Sequence, residues 1–80
     1  MGALRVQFGD RVRALRKWKG MTQEELAEAA NLSVDFIGLI ERGVNAPSFD
    51  SIEQLASALG VEVRELFEFS RGERKHALDE

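Results

Sequence analysis

The sequence has no cysteine, one proline and one histidine among its 80 residues. Without cysteine there is no disulfide framework and no thiolate metal site, and the redox state of the compartment places no demand on the fold. The lone His76 stands in a polar stretch, so no metal cluster is expected. No apolar run approaches the roughly 18 residues of a membrane span, and the opening MGALRVQF lacks a sustained apolar segment of the signal-peptide kind. The expected location is therefore the cytoplasm. Histidine–cysteine pairs and paired carboxylates are missing from any plausible cleft, and Ser33 near Asp35 without a base makes no triad. The chain does not read as an enzyme, and it carries no cofactor motif. With only Pro47 and no β-branched runs, it reads as all-α.

What is present is an uneven charge distribution. The net charge is −3, which by itself argues against nucleic acid, but the arrangement matters more than the total. Residues 1–20 carry Arg5, Arg11, Arg13, Arg16, Lys17 and Lys19 against the single acid Asp10, whereas residues 21–69 carry ten acids against Arg42 and Arg64. One end is basic and the other acidic, as expected where one face alone meets phosphate. Eighty residues make one domain, and a core this small gains from oligomerisation.

The apolar spacing predicts five helices. Helix 1 is expected over about Leu4–Lys19, with Leu4, Phe8, Val12 and Leu15 on one face and Gly20 at its end. Thr22, with Glu25 three residues on, forms a capping box that opens helix 2, which runs to Ala29 or Ala30. Asn31 tolerates the left-handed backbone of a tight turn. Ser33 caps helix 3, Asp35 in its first turn complements the helix dipole, and the helix stops at Gly43. Val44–Pro47 is a loop, after which Ser48 caps helix 4 with its stripe of Ile52, Leu55, Ala56 and Leu59, ended by Gly60. A short helix 5 is expected over about Val63–Phe69, although Glu62 is a poor cap for it. Residues 4–69 form the domain, and residues 70–80 a polar, disordered tail.

Two short helices joined by Ala30, Asn31 and Leu32 suggest a helix-turn-helix. Leu26, Ala30, Leu32, Ile37 and Ile40 are apolar where crossed helices face the core, and Ala27 is small where helix 3 must come close to helix 2. The run LRKWKGMTQEELAEAANLSVDFIGLIERG, followed by APSFDSIEQLASALGV, resembles the Cro/CI-type helix-turn-helix (XRE-like) family of bacterial and phage transcriptional regulators. That family includes lambda-like repressors and short restriction–modification controller proteins. The resemblance covers roughly Phe8–Phe67 and rests on the phrases TQEELA, IERG and LASALGV. It implies a five-helix lambda-repressor-like DNA-binding domain with the helix-turn-helix formed by helices 2 and 3. It also implies homodimers bound to two half-sites about one helical turn apart.

Residue roles follow from the same resemblance. Gln23 matches a glutamine that bonds DNA phosphate and braces helix 3, and the helix start at Thr22 offers backbone N–H groups to the same phosphate. Arg42 and Asn45, just past helix 3, match backbone-contacting positions. Arg16 and Glu41 match a structural ion pair between helices 1 and 3 that fixes geometry more than it adds stability. Arg13, Lys17 and Lys19 are candidates for phosphate contacts or for solvated surface charges. Ser33, Val34, Asp35 and Leu39 occupy the base-reading positions, where relatives often carry glutamine, arginine or serine. Val34 and Leu39 offer only apolar contact, as to thymine methyls, while Asp35 accepts from cytosine N4 or merely caps the helix. Specificity then rests partly on DNA shape, or the surface serves another partner. Gly38 reads nothing. Phe36 is expected at the edge of the core, and Trp18 is expected to pack partly buried. Val61, Val63, Leu66, Phe67 and Phe69 exceed what one short helix buries in a monomer, so a dimer interface is expected there. The alternative function is an antitoxin-like module that masks a toxin and autoregulates its operon. Further candidate partners are RNA polymerase and a toxin protein.

Overall fold

The helix α1 (Ala3–Trp18) turns Phe8, Val12 and Leu15 inward, one apolar contact per turn, and the rest of the chain wraps that stripe. It is followed by α2 (Gln23–Ala30), α3 (Val34–Glu41) and α4 (Phe49–Leu59) in the computed structural model, which describes residues 2–69. Val63–Phe67 form a 3₁₀ helix after α4. No strand occurs among the described residues. The core is built from Val12, Leu26, Ile37, Ile40, Leu55, Leu59 and Leu66, each fully shielded from solvent, with Ala27, Ala30 and Ala56 filling the narrow gaps between helices.

Local signals account for the element boundaries. The hydroxyl of Thr22 accepts the Glu25 N–H at 3.0 Å, and the Glu25 carboxylate accepts the Thr22 N–H at 2.9 Å, so two otherwise orphaned donors are satisfied at the start of α2. Asn31 takes φ 59° and ψ 43°, the one non-glycine among the described residues with positive φ, which closes α2 and reverses the chain. Ser33 and Ser48 cap α3 and α4 in turn, accepting from Phe36 and Ser51. Gly60 ends α4 at φ 71°.

Three expectations need correction. The fifth helix is a 3₁₀ segment that ends at Phe67, not an α-helix reaching Phe69. Five residues beginning with a β-branched valine are too few to sustain α-helix. The Glu65 carboxylate accepts the Glu62 N–H at the start of the segment, and from outside Arg11 Nε donates to the Glu65 carbonyl at 2.8 Å while Leu66 is drawn into the core. Leu4 leaves the core and is 58% exposed, because the first turn of α1 projects past the helices it packs on. Trp18 is 79% exposed, with only Lys19 Nζ over its ring, 5.9 Å from the centroid. It sits on the last residue of α1, where the stripe has turned away. The proposed tail, residues 70–80, lies outside the described residues.

Two glycines in helices act in opposite ways. At Gly9 a Cβ would overlap the Ile40 carbonyl oxygen and lie 2.9 Å from that of Glu41, so α1 crosses α3 backbone to backbone at this point. Gly38 in α3 has nothing within 4 Å of where a Cβ would stand. Gly9→Ala is therefore expected to destabilise the fold by about 1–3 kcal/mol through forced separation of α1 and α3. Gly38→Ala is expected to stabilise it by about 0.5–1 kcal/mol through helix propensity alone. Urea unfolding of both variants against the parent chain checks the opposite signs.

Candidate nucleic-acid interface

The carboxylate of Glu41, on the last residue of α3, is closed off from solvent. Burying an isolated carboxylate is costly, so the surrounding groups must compensate it. Arg16 reaches across from α1 and binds it with both prongs of its guanidinium, Nε to Oε2 at 2.7 Å and Nη2 to Oε1 at 3.0 Å. The third guanidinium nitrogen, Nη1, donates to the Met21 carbonyl at 2.8 Å, in the link between α1 and α2. Gln23, the first residue of α2, donates its side-chain amide to Glu41 Oε1 at 3.0 Å. Arg13 adds a looser contact at 3.8 Å, half-exposed. The hydrogen bond to Glu41 holds the Arg16 guanidinium above its ordinary pKa, against the opposing effect of burial, so its charge persists at every working pH. One acid thus ties the start of α2 and the end of α3 to the last turn of α1.

This node fixes what α3 shows to solvent. Ile37, Ile40 and Glu41 point inward, and helical periodicity leaves Val34, Asp35, Gly38, Leu39 and Arg42 on the opposite side. Val34, Asp35 and Arg42 are exposed, while Gly38 and Leu39 are half-buried. Ser33 is exposed too, but its hydroxyl is engaged in the cap of α3. Phe36 lies at the margin and packs on the core. The turn between α2 and α3 is tight: Asn31 and Leu32 donate their backbone N–H groups to the Glu28 and Ala27 carbonyls. Buried Ala27 leaves room for the two helices to meet there.

The remaining sites sort by place. Thr22 and Gln23 stand at the start of α2, where Gln23 and Arg13 both reach Glu41, while Arg42 is exposed at the C-cap of α3. Asn45 is exposed in the loop after α3, its N–H donating to the Leu39 carbonyl. Lys17 and Lys19 are exposed at the end of α1. A groove between α2 and α4, lined by Asn31, Asp50 and Glu53, collects acids elsewhere. Among the described residues no group of three or more His, Cys, Asp or Glu side chains is placed to hold a metal ion, and no helix is long and apolar enough to cross a membrane.

The five apolar residues assigned to a dimer interface do not form one surface. Leu66 is fully buried in its own chain and offers a partner nothing, which removes it from that set. Val61 is half-buried against the core. Phe67 is partly spent on Phe8, with ring centroids 5.1 Å apart, and Phe69 is half-buried 6.3 Å beyond it. Only Val63 and Phe67 keep substantial exposure. Two features went unread in the sequence. Gly9, a glycine inside a helical pattern, signals close backbone approach, and Phe49 opens α4 almost entirely in solvent.

Comparison with known proteins agrees with this architecture. Residues 12–66 match the family model described as helix-turn-helix. The chain is 46% identical over 55 residues to the immunity repressor protein of Bacillus phage phi105, covering 69% of this chain and 38% of that longer protein. It is 41% identical over 68 residues to control protein C.BamHI of Bacillus amyloliquefaciens, covering 84% of each. The restriction-modification controller protein C.AhdI from Aeromonas hydrophila superposes with a TM-score of 0.78 at 46% identity, covering 79% of this chain and 96% of that one.

Because Glu41 is buried, removing it strands a charged guanidinium. Glu41→Ala is expected to cost about 3–5 kcal/mol, whereas the joint replacement Arg16→Met with Glu41→Leu should cost much less. A double-mutant cycle by chemical denaturation reads the difference directly.

Proposed function

This chain belongs to the Cro/CI-type (XRE-like) helix-turn-helix family, and from that membership we propose that it is a sequence-specific, double-stranded-DNA-binding transcriptional regulator. In this reading it acts as a homodimer on a two-fold symmetric operator, α2 and α3 form the helix-turn-helix, and α3 enters the major groove. The observation that carries it is the Glu41 node, which locks the start of α2 and the outward face of α3 into one rigid unit bordered by cations.

Each residue then has a physical task. One amide N–H of Gln23 is engaged by Glu41, and the other points the side chain's remaining donor to phosphate. The N–H groups at the first turn of α2, beside Thr22, add to that phosphate site. Arg13 supplies charge beside Gln23 and Arg42 just past α3, with Asn45, Lys17 and Lys19 contacting the backbone farther out. Val34, Asp35 and Leu39, with Ser33 at the edge, face the bases. Two of these are apolar and one is acidic, so direct readout is sparse and DNA shape supplies part of the discrimination.

Binding is expected to weaken steeply with salt, each neutralised phosphate adding about −0.9 to the slope of log K against log salt. Arg42→Ala should lower affinity for all sequences alike and flatten that slope, since phosphate contacts position without specifying. Titrations of labelled duplex at several salt concentrations measure both effects, and salt-independent affinity would sink the reading.

Asp35 separates this function from a second one. A carboxylate on the exposed face of α3 repels phosphate, which favours a protein-masking, antitoxin-like role unless the group accepts from a cytosine. For the DNA-reading role, Asp35→Ala is expected to relax preference at one symmetric operator position by about 1–3 kcal/mol. Affinities for every single-base operator variant show it. Tighter DNA binding with unchanged preference points to the protein partner instead.

A further inference from the structure

The first turn of α2 carries two exposed carboxylates, Glu24 and Glu25, at the point where the DNA reading places a phosphate. Glu25 is held there by the fold. Its Oε1 accepts the Thr22 N–H at 2.9 Å, so it already occupies one of the donors that a helix start offers to an anion. The Thr22 hydroxyl takes the Glu25 N–H, and the Leu26 N–H donates to the Thr22 carbonyl. The N–H groups of Gln23 and Glu24 remain as the open donors of the first turn. They follow Thr22 directly along the chain, so a phosphate held on them lies inside the screening length of about 8–10 Å from the Glu25 carboxylate.

Resting on the DNA reading above, we propose that Glu25 is an internal competitor of phosphate that lowers the affinity of this chain for all duplex DNA and leaves its sequence preference unchanged. The positive end of the α2 dipole has a resident anion, and an incoming phosphate meets a site already partly satisfied. The charge of that anion is uncompensated: Glu25 has no ion-pair partner among the described residues. Arg16, the nearest buried cation, is spent on Glu41 and cannot offset it. Glu24 adds negative charge beside it but accepts no hydrogen bond at the cap among the described residues, so Glu25 is the one the fold holds in place. Repulsion at this position acts on the phosphate whatever base is attached to it. Complexes held by phosphate contacts alone are the weaker ones and fall below working occupancy first. Complexes in which α3 also meets matching bases lose the same factor and stay occupied. Glu25 therefore shifts the burden of binding from the backbone to α3.

The test uses Glu25→Gln, which keeps an acceptor for the Thr22 N–H and removes the charge. Parent and variant are titrated with a labelled duplex of arbitrary sequence over a series of salt concentrations. The variant is expected to bind about two- to fivefold more tightly per copy at low salt, the upper value being the Boltzmann factor of unit charges about 4 Å apart in water. The gain should shrink as salt is raised, and circular dichroism should report the parent's helix content. Glu53→Gln removes the same charge from the groove between α2 and α4 and should bind as the parent does. An affinity for Glu25→Gln equal to or below the parent's overturns the inference and leaves the DNA reading standing. An equal gain for Glu53→Gln also overturns it, since net charge then accounts for the effect. A parent chain that binds no duplex at any salt overturns the DNA reading and the inference with it.

Discussion

Glu41 sits beneath α1 with its carboxylate closed off from water, where an isolated charge would be expensive by several kcal/mol. The forked guanidinium of Arg16 and the amide of Gln23 meet it there, and this arrangement sets three helices at once. An apolar pair of equal volume would pack as well but would tolerate rotation and sliding. Two parallel N–H···O bonds from a planar group do not. The contact is also flanked by the backbone crossing at Gly9, which lets α1 lie directly on the end of α3. Geometry at the exposed face of α3 is thus inherited from a carboxylate that is itself closed off from solvent.

That separation explains how an acidic chain offers a cationic corner. Half of the described acids outside the node lie in the groove between α2 and α4 and along the 3₁₀ helix, where Glu62 and Glu68 engage Arg64 and Arg11. Arg13 remains at the junction of α1, α2 and α3, close to an acid whose charge Arg16 already neutralises, and Arg42 is exposed just past the end of α3. Net charge describes the solubility of the molecule and says little about what this corner attracts.

The sequence made the helices legible because each boundary is written in short-range chemistry. Thr22 with Glu25, Ser33, Ser48, Asn31 and Gly60 all satisfy or end backbone donors within four residues. The pairing of Arg16 with Glu41 was reached through family resemblance, since no local rule links residues 25 positions apart. What escaped was decided by tertiary placement. Trp18 and Leu4 are apolar and stand at the two ends of α1, where the helices packed on it leave them largely exposed. Leu66 read as surplus because the 3₁₀ helix looks too short to have an inside. Arg11 and the core give it one. Phe49 carried no signal, because a helix-opening residue after a serine cap obeys every local rule whether exposed or buried.

The bond from Arg11 to the Glu65 carbonyl spans 54 residues, and Leu66 beside it is part of the innermost core. During synthesis α1 leaves the ribosome well before this segment, so Val12 and Leu15 wait for partners that have not yet been made. The domain cannot mature from its N-terminus by stages. Its core closes only when residue 66 has cleared the exit tunnel, and until then α1 depends on neighbours that cover it incompletely. A chain cut short between residues 60 and 66 therefore carries α1 to α4 complete and a gap in its core, a natural substrate for chaperones and proteases.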